Sequence, residues 1–263
     1  MLVIGEKINT TLKQAKEIVE KKDRKALQEL AKKQVEAGAD MIDVNVGTRI
    51  STEVEDMKWA IKIVQEAVNC PCCIDSPNPK AIEAGLQVHK GKALVNSTTA
   101  EKKRFEETLR VVKNFNCGIV ALTIDDKGIP EDVEGRYRIA AELIEKLGRE
   151  GFSPDDIYID PLVRPVATEP HVGKVVLDAI EKICSSFPGV HIICGLSNIS
   201  FGLPARGLLN RVFLAMAISR GLDTALVDPL DRELMATIIA AETLVGKDDF
   251  CMRYISSFRE GKL

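Results

Sequence analysis

The chain has 263 residues, 45% of them hydrophobic and 29% charged, with 36 basic against 39 acidic side chains for a formal net charge of −3. That length allows one barrel-sized domain or two small ones, and the composition is that of an ordinary globular protein. The near-balanced charge excludes an electrostatic grip on nucleic acid or anionic lipid, and the longest apolar runs are too short to span a bilayer. The opening MLVIGEKINT has no basic flank and turns polar within a few residues, so a cytoplasmic protein without a signal peptide is expected. Seven cysteines, an odd number, read as free thiols in a reducing compartment. No histidine follows Cys70, Cys72 and Cys73 at finger-like spacing, so no metal site is expected.

In chain order, residues 2–5 read as a first strand, followed by Glu6 and Asn9. Residues 13–20 and 24–36 read as helices, the second capped by Asp23. The second strand, 41–46, carries Asp43 and Asn45, and a helix follows over 54–68. Residues 72–74 lead to Asp75 and Ser76, and Asn78-Pro79 opens a helix to Leu86. Residues 93–95 end in Asn96, Ser97 and Thr98, before a charged helix over 101–115. The fifth strand, 118–123, is followed by Asp125 and Asp126, then a helix over 133–149. Residues 157–159 end in Asp160, and a helix over 170–185 is expected with its cap near Thr168 or Glu169. Residues 191–194 deliver Gly195, Ser197 and Asn198, with Arg206 a few residues on and a helix from about Leu208. An eighth strand, 224–227, ends at Asp228, a helix covers 231–244, and the tail reads as a short helix or arm.

Eight apolar strands alternating with helices fit either a (β/α)8 barrel or an open doubly wound sheet. The count of eight and the length favour the barrel, and the glycine-rich turn of a dinucleotide fold is missing after the first strand. No linker or composition break divides the chain, so a single domain over residues 1–263 is expected. In a barrel the strand-end residues Glu6, Asn45, Asp75, Asn96, Thr123, Asp160, Ser197, Asn198 and Asp228 share one rim, the face that carries chemistry in this fold. His89 and His171 read as solvated and His191 as lying at the opposite end, so none is placed as a catalytic base. A rim of carboxylates and carboxamides suits a flat, nitrogen-rich heterocycle such as a pterin, whose donors and acceptors alternate. The same residue types also cap helices, although Asn78-Pro79 relieves Asp75 of that task.

Six segments in order carry a resemblance: IGEKIN (4–9), DVNVG (43–47), CIDSPNPKAIEAGL (73–86), LVNST (94–98), YIDPL (158–162) and GLSNISFGLPARGLLNR (195–211). They resemble the methyltetrahydrofolate:corrinoid protein methyltransferases, and with them the pterin-binding domains of methionine synthase and, more distantly, dihydropteroate synthase. The resemblance implies a pterin-binding barrel in which Asp75, Asn96 and Asp160 hold the pyrimidine side of the ring. It implies that Asn198 reaches N5 of 5-methyltetrahydrofolate as the catalytic residue, with Gly195 and Ser197 on the same wall. Arg206 matches a position that helps hold the p-aminobenzoate-glutamate end, Glu6, Asn9 and Asn45 match recurrent positions of unspecified role, and Asp125 is named with them as a further rim residue. It also implies a homodimer, although no apolar exposed stripe stands out in the sequence.

The chain departs from the acetogen enzymes at Asp125, where they carry Asn, at Arg164, where an aliphatic residue is usual, and at 201–203, where their loop is polar. These departures point toward the methyltransferases of corrinoid demethylation systems. Neither His89 nor His171 has an Asp two residues before it, so a DxHxxG corrinoid motif is absent and the corrinoid is expected on a separate protein. Two other functions fit the same rim: a dihydropteroate-synthase-like enzyme and a non-catalytic folate-binding subunit. Against the first, no long Thr-Pro-Asp-Ser-type loop follows the first strand and no Lys-rich loop follows the sixth.

Overall fold

Short β-branched runs make the strands, and charged amphipathic segments make the helices between them. The computed structural model describes residues 1–263. Its strands are β1 (Leu2–Asn9), β2 (Met41–Asn45), β3 (Cys72–Asp75), β4 (Ala93–Thr99), β5 (Cys117–Leu122), β6 (Ile157–Asp160), β7 (His191–Gly195) and β8 (Thr224–Val227). Each pairs in parallel with the next, and β8 pairs with β1, which closes the barrel. The helices are α1 (Lys13–Glu20), α2 (Arg24–Glu36), α3 (Glu53–Ala67), α4 (Pro79–Val88), α5 (Lys102–Val112), α6 (Val133–Arg149), α7 (Val172–Ser186), α8 (Arg206–Ser219), α9 (Arg232–Leu244) and α10 (Met252–Arg259). No helix is long and apolar enough to cross a membrane.

Several helices begin where a short polar side chain takes an orphan backbone N–H. Asp23 accepts from Ala26 N at 3.1 Å, Asn78 from Lys80 N at 3.1 Å and Asp231 from Leu234 N at 3.0 Å. Each such cap stabilises its helix by about 1 kcal/mol. The cap expected at Thr168 or Glu169 is not there: α7 starts at Val172 and no side chain caps it. Thr168 instead donates its hydroxyl to Pro165 O at 3.1 Å, inside a turn that precedes the helix.

The strands place one apolar layer inside the barrel and one polar layer above it. Ile4, Met41, Cys73, Leu94, Val120 and Ile193 form a buried cluster, with Tyr158 and Leu226 packed against it. Two residues further along each strand the side chain points the same way. From Ile4 that step reaches Glu6, from Met41 Asp43, from Cys73 Asp75, from Leu94 Asn96, from Tyr158 Asp160 and from Ile193 Gly195. A larger cluster of 57 buried residues fills the space between strands and helices.

Two further expectations are corrected. β1 does not end at Gly5 but continues to Asn9 across an irregularity in its pairing between Gly5 and Ile8. Gln34 of α2 makes this possible by accepting from Lys7 N at 3.0 Å. A Cβ on Gly5 would lie 2.5 Å from Gln34 Oε1, so a larger residue there would displace the carboxamide that accepts from Lys7 N. His89 is not solvated: it is partly buried, and its Nε2 accepts from Cys72 N at 3.0 Å. Burial accordingly lowers its pKa, partly opposed by the Gly91 carbonyl. His171 is exposed, and His191 lies at the N-terminal end of β7 against Asp223.

Candidate active site

The polar layer floors a cavity of about 430 Å³ at the C-terminal ends of the strands. Glu6, Asn9, Asp75, Asn96, Asp160, Gly195, Ser197 and Asn198 line it, together with Asp43 and Leu122. Eight of the residues expected at the site are thus gathered from five strands and the loop after β7. A larger hollow of about 530 Å³ lies outside the barrel, lined by parts of α2, α9 and α10. It has no comparable set of buried carboxyls and carboxamides.

The floor is short of hydrogen-bond donors. Asp75 accepts from Asn45 Nδ2 at 2.8 Å, and Asn45 Oδ1 accepts from Gly47 N at 3.1 Å. Asn45 therefore stands behind Asp75 and aims it rather than lining the cavity. Asp160 accepts from Leu162 N at 2.7 Å. Asp43 is fully buried, and its Oδ1 has no partner.

Burial pushes all four carboxyls upward, because an unpaired charge is expensive there. Asp160 rises to about 7, with Leu162 N–H and the Arg136 guanidinium opposing the rise. Glu6 also rises to about 7, from burial and then the nearby Asp228, with Lys7 and Arg206 opposing. Asp75 rises to about 6, held back by the Asn45 hydrogen bond and by Arg104. Asp43 rises well above the ordinary carboxylate range through burial and then the Asp75 charge. A ligand bringing N–H groups to this floor supplies the donors that the protein omits.

Asn198 sits in a short 3-10 turn, Leu196–Ser200, directly after β7. Its carboxamide packs over Gly195, where a Cβ would lie 3.2 Å from Asn198 Nδ2. Arg206, expected on the substrate, has its guanidinium on the protein: Nη2 donates to Ser197 O at 2.7 Å and Nε to Ser200 Oγ at 3.0 Å. Asp125, named as a further rim residue, is away from the cavity. It closes a small turn by accepting from Lys127 N at 2.8 Å and pairs with Arg138. The Lys127 N–H, followed by Arg138, holds its carboxyl below the usual range. Arg164, the unusual residue after β6, pairs with Glu169.

Three functional supports escaped the sequence analysis. Asp43 was noted on β2 but not placed on the rim, although a charge inside MIDVN is anomalous for a strand buried on both faces. Arg104 donates to Ser97 O at 3.1 Å and brings a positive charge toward Asp75. Arg136, fully buried, donates to the carbonyls of Pro161 and Leu162. Leu162 has φ of +63°, a left-handed conformation that its bonds to Asp160 and Arg136 hold in place. Neither arginine carries a sequence signal, since each lies in a helix whose neighbours are charged.

The family model described as pterin binding enzyme matches residues 5–228. The chain is 39% identical to the methylcorrinoid:tetrahydrofolate methyltransferase of Eubacterium limosum over 265 residues, covering 100% of this chain and 98% of that protein. It is 33% identical to methionine synthase of Mycobacterium tuberculosis over 240 residues, which is 86% of this chain but 20% of that longer protein. Among solved structures, Xanthomonas albilineans dihydropteroate synthase in complex with 7,8-dihydropteroate matches with a TM-score of 0.69 at 20% identity, covering 92% of this chain and 91% of that one. A Coxiella burnetii dihydropteroate synthase in complex with pteroic acid matches with a TM-score of 0.70 at 16% identity, covering 93% of each. At these identities the two structures speak for the barrel alone. The family match and the full-length relative go further: the chain belongs to the pterin-binding enzymes.

Proposed function

We propose that the protein is a methyltransferase that moves a methyl group between N5 of 5-methyltetrahydrofolate and the cobalt of a corrinoid carried by a separate protein. The observation that carries this is the convergence, in one open cavity, of under-paired carboxyls with the free carboxamide of Asn198. The name of the Eubacterium limosum relative, aligned over the whole chain, describes the same exchange. Either direction of transfer uses the same site.

Asp75, Asn96 and Asp160 hold the pyrimidine side of the pterin, with Gly195 and Ser197 against its wall. An ionised Asp accepts from a ring N–H and from the exocyclic amine together. The N5 nitrogen is a poor leaving group unless negative charge developing there meets a donor. Asn198 has a carboxamide to donate and no protein partner competing for it. Glu6, held near 7, is a lining carboxyl able to keep a proton at neutral pH. The corrinoid supplies the cobalt that accepts or releases the methyl. Exposed Leu12, Ile50, Phe201 and Leu230 occupy loops after the neighbouring strands β1, β2, β7 and β8, an apolar arc at this end suited to a docked partner.

The homodimer belongs to the same proposal, and an exposed apolar stripe supports it. Leu208, Leu209, Val212 and Met216 are exposed along α8 at helical spacing. Val212→Glu should shift sedimentation from dimer to monomer, and a parent that sediments as a monomer at micromolar concentration would remove the claim.

The functional test is stopped-flow methyl transfer to a cobalt(I) corrinoid beside equilibrium folate binding. Asn198→Ala should slow transfer on the order of 10²-fold, as for the loss of one preorganised donor. Binding should fall less, by about tenfold, because the ring contacts remain. Equal losses would make Asn198 a binding residue only. An unchanged rate would refute the mechanism.

A further inference from the structure

Arg206 is the first residue of α8, where a positive charge opposes the helix dipole. Its placement there needs another cause, and its bonds supply one. Nη2 donates to Ser197 O at 2.7 Å and Nε to Ser200 Oγ at 3.0 Å. Ser200 is fully buried, and its hydroxyl donates to Asn210 Oδ1 at 2.7 Å. Arg206 and Asn210 are four residues apart, hence on one face of α8. Between them they grip both sides of the turn that carries Asn198. The guanidinium also lies 5.9 Å from the centre of the Phe201 ring, on the residue that leaves the turn. Ala205, just before α8, has φ of +51° and so turns the chain back to bring Arg206 under the turn.

We propose that Arg206 is a positioning residue for Asn198, and that it acts through the backbone of the turn rather than on the p-aminobenzoate-glutamate end of the substrate. This rests on the methyl-transfer function proposed above. The physical reason is that a donor aimed at developing charge is effective only when it need not reorganise as the charge appears. Asn198 has no side-chain bond that fixes it. The aim of its carboxamide is therefore set by the turn beneath, and Arg206 ties that turn at the Ser197 carbonyl and through the buried Ser200 hydroxyl. A lysine offers one point charge in place of the planar fork and cannot span both acceptors in the same way.

The test compares Arg206→Gln and Arg206→Lys with the parent, using 5-methyltetrahydrofolate and, separately, a 5-methyltetrahydropterin without the p-aminobenzoylglutamate tail. Arg206→Gln should lower kcat about tenfold with KM changed less than about twofold, and the loss should be the same with the tail-less donor. Arg206→Lys should recover part of the rate. In an Asn198→Ala background, Arg206→Gln should cost little more, since the two residues act as one unit. Amide hydrogen exchange of residues 196–201 in the ligand-free protein should quicken in Arg206→Gln while the strands stay protected. A loss confined to KM that vanishes with the tail-less donor would overturn the proposal in favour of tail binding. So would additive losses in the double variant, or unchanged exchange in the turn. If the parent transfers no methyl, the functional proposal fails, and the exchange experiment still decides whether Arg206 fastens the turn.

Discussion

The two ends of the barrel use the same residue types in opposite ways. At the N-terminal end, Asp223 accepts from His191 Nδ1 at 2.8 Å, from Ile192 N at 3.1 Å and from Thr224 Oγ1 at 3.1 Å. The His191 ring stacks on Tyr158, with centroids 4.6 Å apart. Asp40 accepts from Val3 N at 2.8 Å, tying the start of β1 to the loop before β2. At the C-terminal end, Asp43 has an oxygen without a partner, Asp160 has one backbone donor, and burial lifts Glu6 and Asp160 to about 7. Polar groups at the base are saturated and hold the barrel shut. Those at the mouth are left under-paired, at a cost in stability that a ligand's donors can remove. That contrast, more than the presence of carboxylates as such, marks the site.

The largest effect on the saturated end is expected from Asp223→Ala. It leaves Ile192 N–H and His191 without their acceptor and should lower stability by about 2 kcal/mol. Denaturant unfolding measures this. A variant as stable as the parent would show that the base is not held as described.

A smaller effect sharpens the contrast through pH. Glu6 and Asp160 keep protons on the folded chain up to about 7, whereas their ordinary values are 4.5 and 3.8. A raised folded-state pKa contributes stability that is complete below the unfolded value and is lost as pH rises through the folded one. The ligand-free protein should therefore melt about 2–4 °C lower at pH 8 than at pH 6, the shift that about 1 kcal/mol produces in a chain of this size. His191, whose pKa the Asp223 hydrogen bond raises, contributes with the same sign. Asp160→Asn should flatten the dependence without abolishing it. A melting temperature that rises across this interval would mean that the mouth carboxyls are ionised in the folded state.

Much of this was legible in the sequence, and the residues show why. Asn78-Pro79, Asp23 and Asp231 announce their helices locally, because a cap and its N–H lie within three residues of each other. The strand ends Asp75, Asn96 and Asp160 stand out as polar residues closing apolar runs. Strand parity explains the misses. Counting by two from the buried Met41 reaches Asp43 before Asn45, and from Val120 it reaches Leu122 rather than Thr123. Thr123 instead donates to Asp160 O at 3.2 Å. The continuation of β1 through Lys7 depends on Gln34, 27 residues away, fitting against Gly5. The grip of Arg136 on the loop after β6 spans 26 residues to Leu162. Such long-range bonds leave no periodic trace in the sequence.

On the proposed function, the mouth carboxyls are under-paired because a pterin supplies their partners. The most direct measurement is equilibrium binding of 5-methyltetrahydrofolate to the parent, to Asp160→Ala at the mouth and to Asp223→Ala at the base, at a temperature where all three are folded. Asp160→Ala should weaken binding by about 2–3 kcal/mol, the cost of leaving buried ring donors unpaired. Asp223→Ala should bind as the parent does. Equal affinities for the parent and Asp160→Ala would contradict the account.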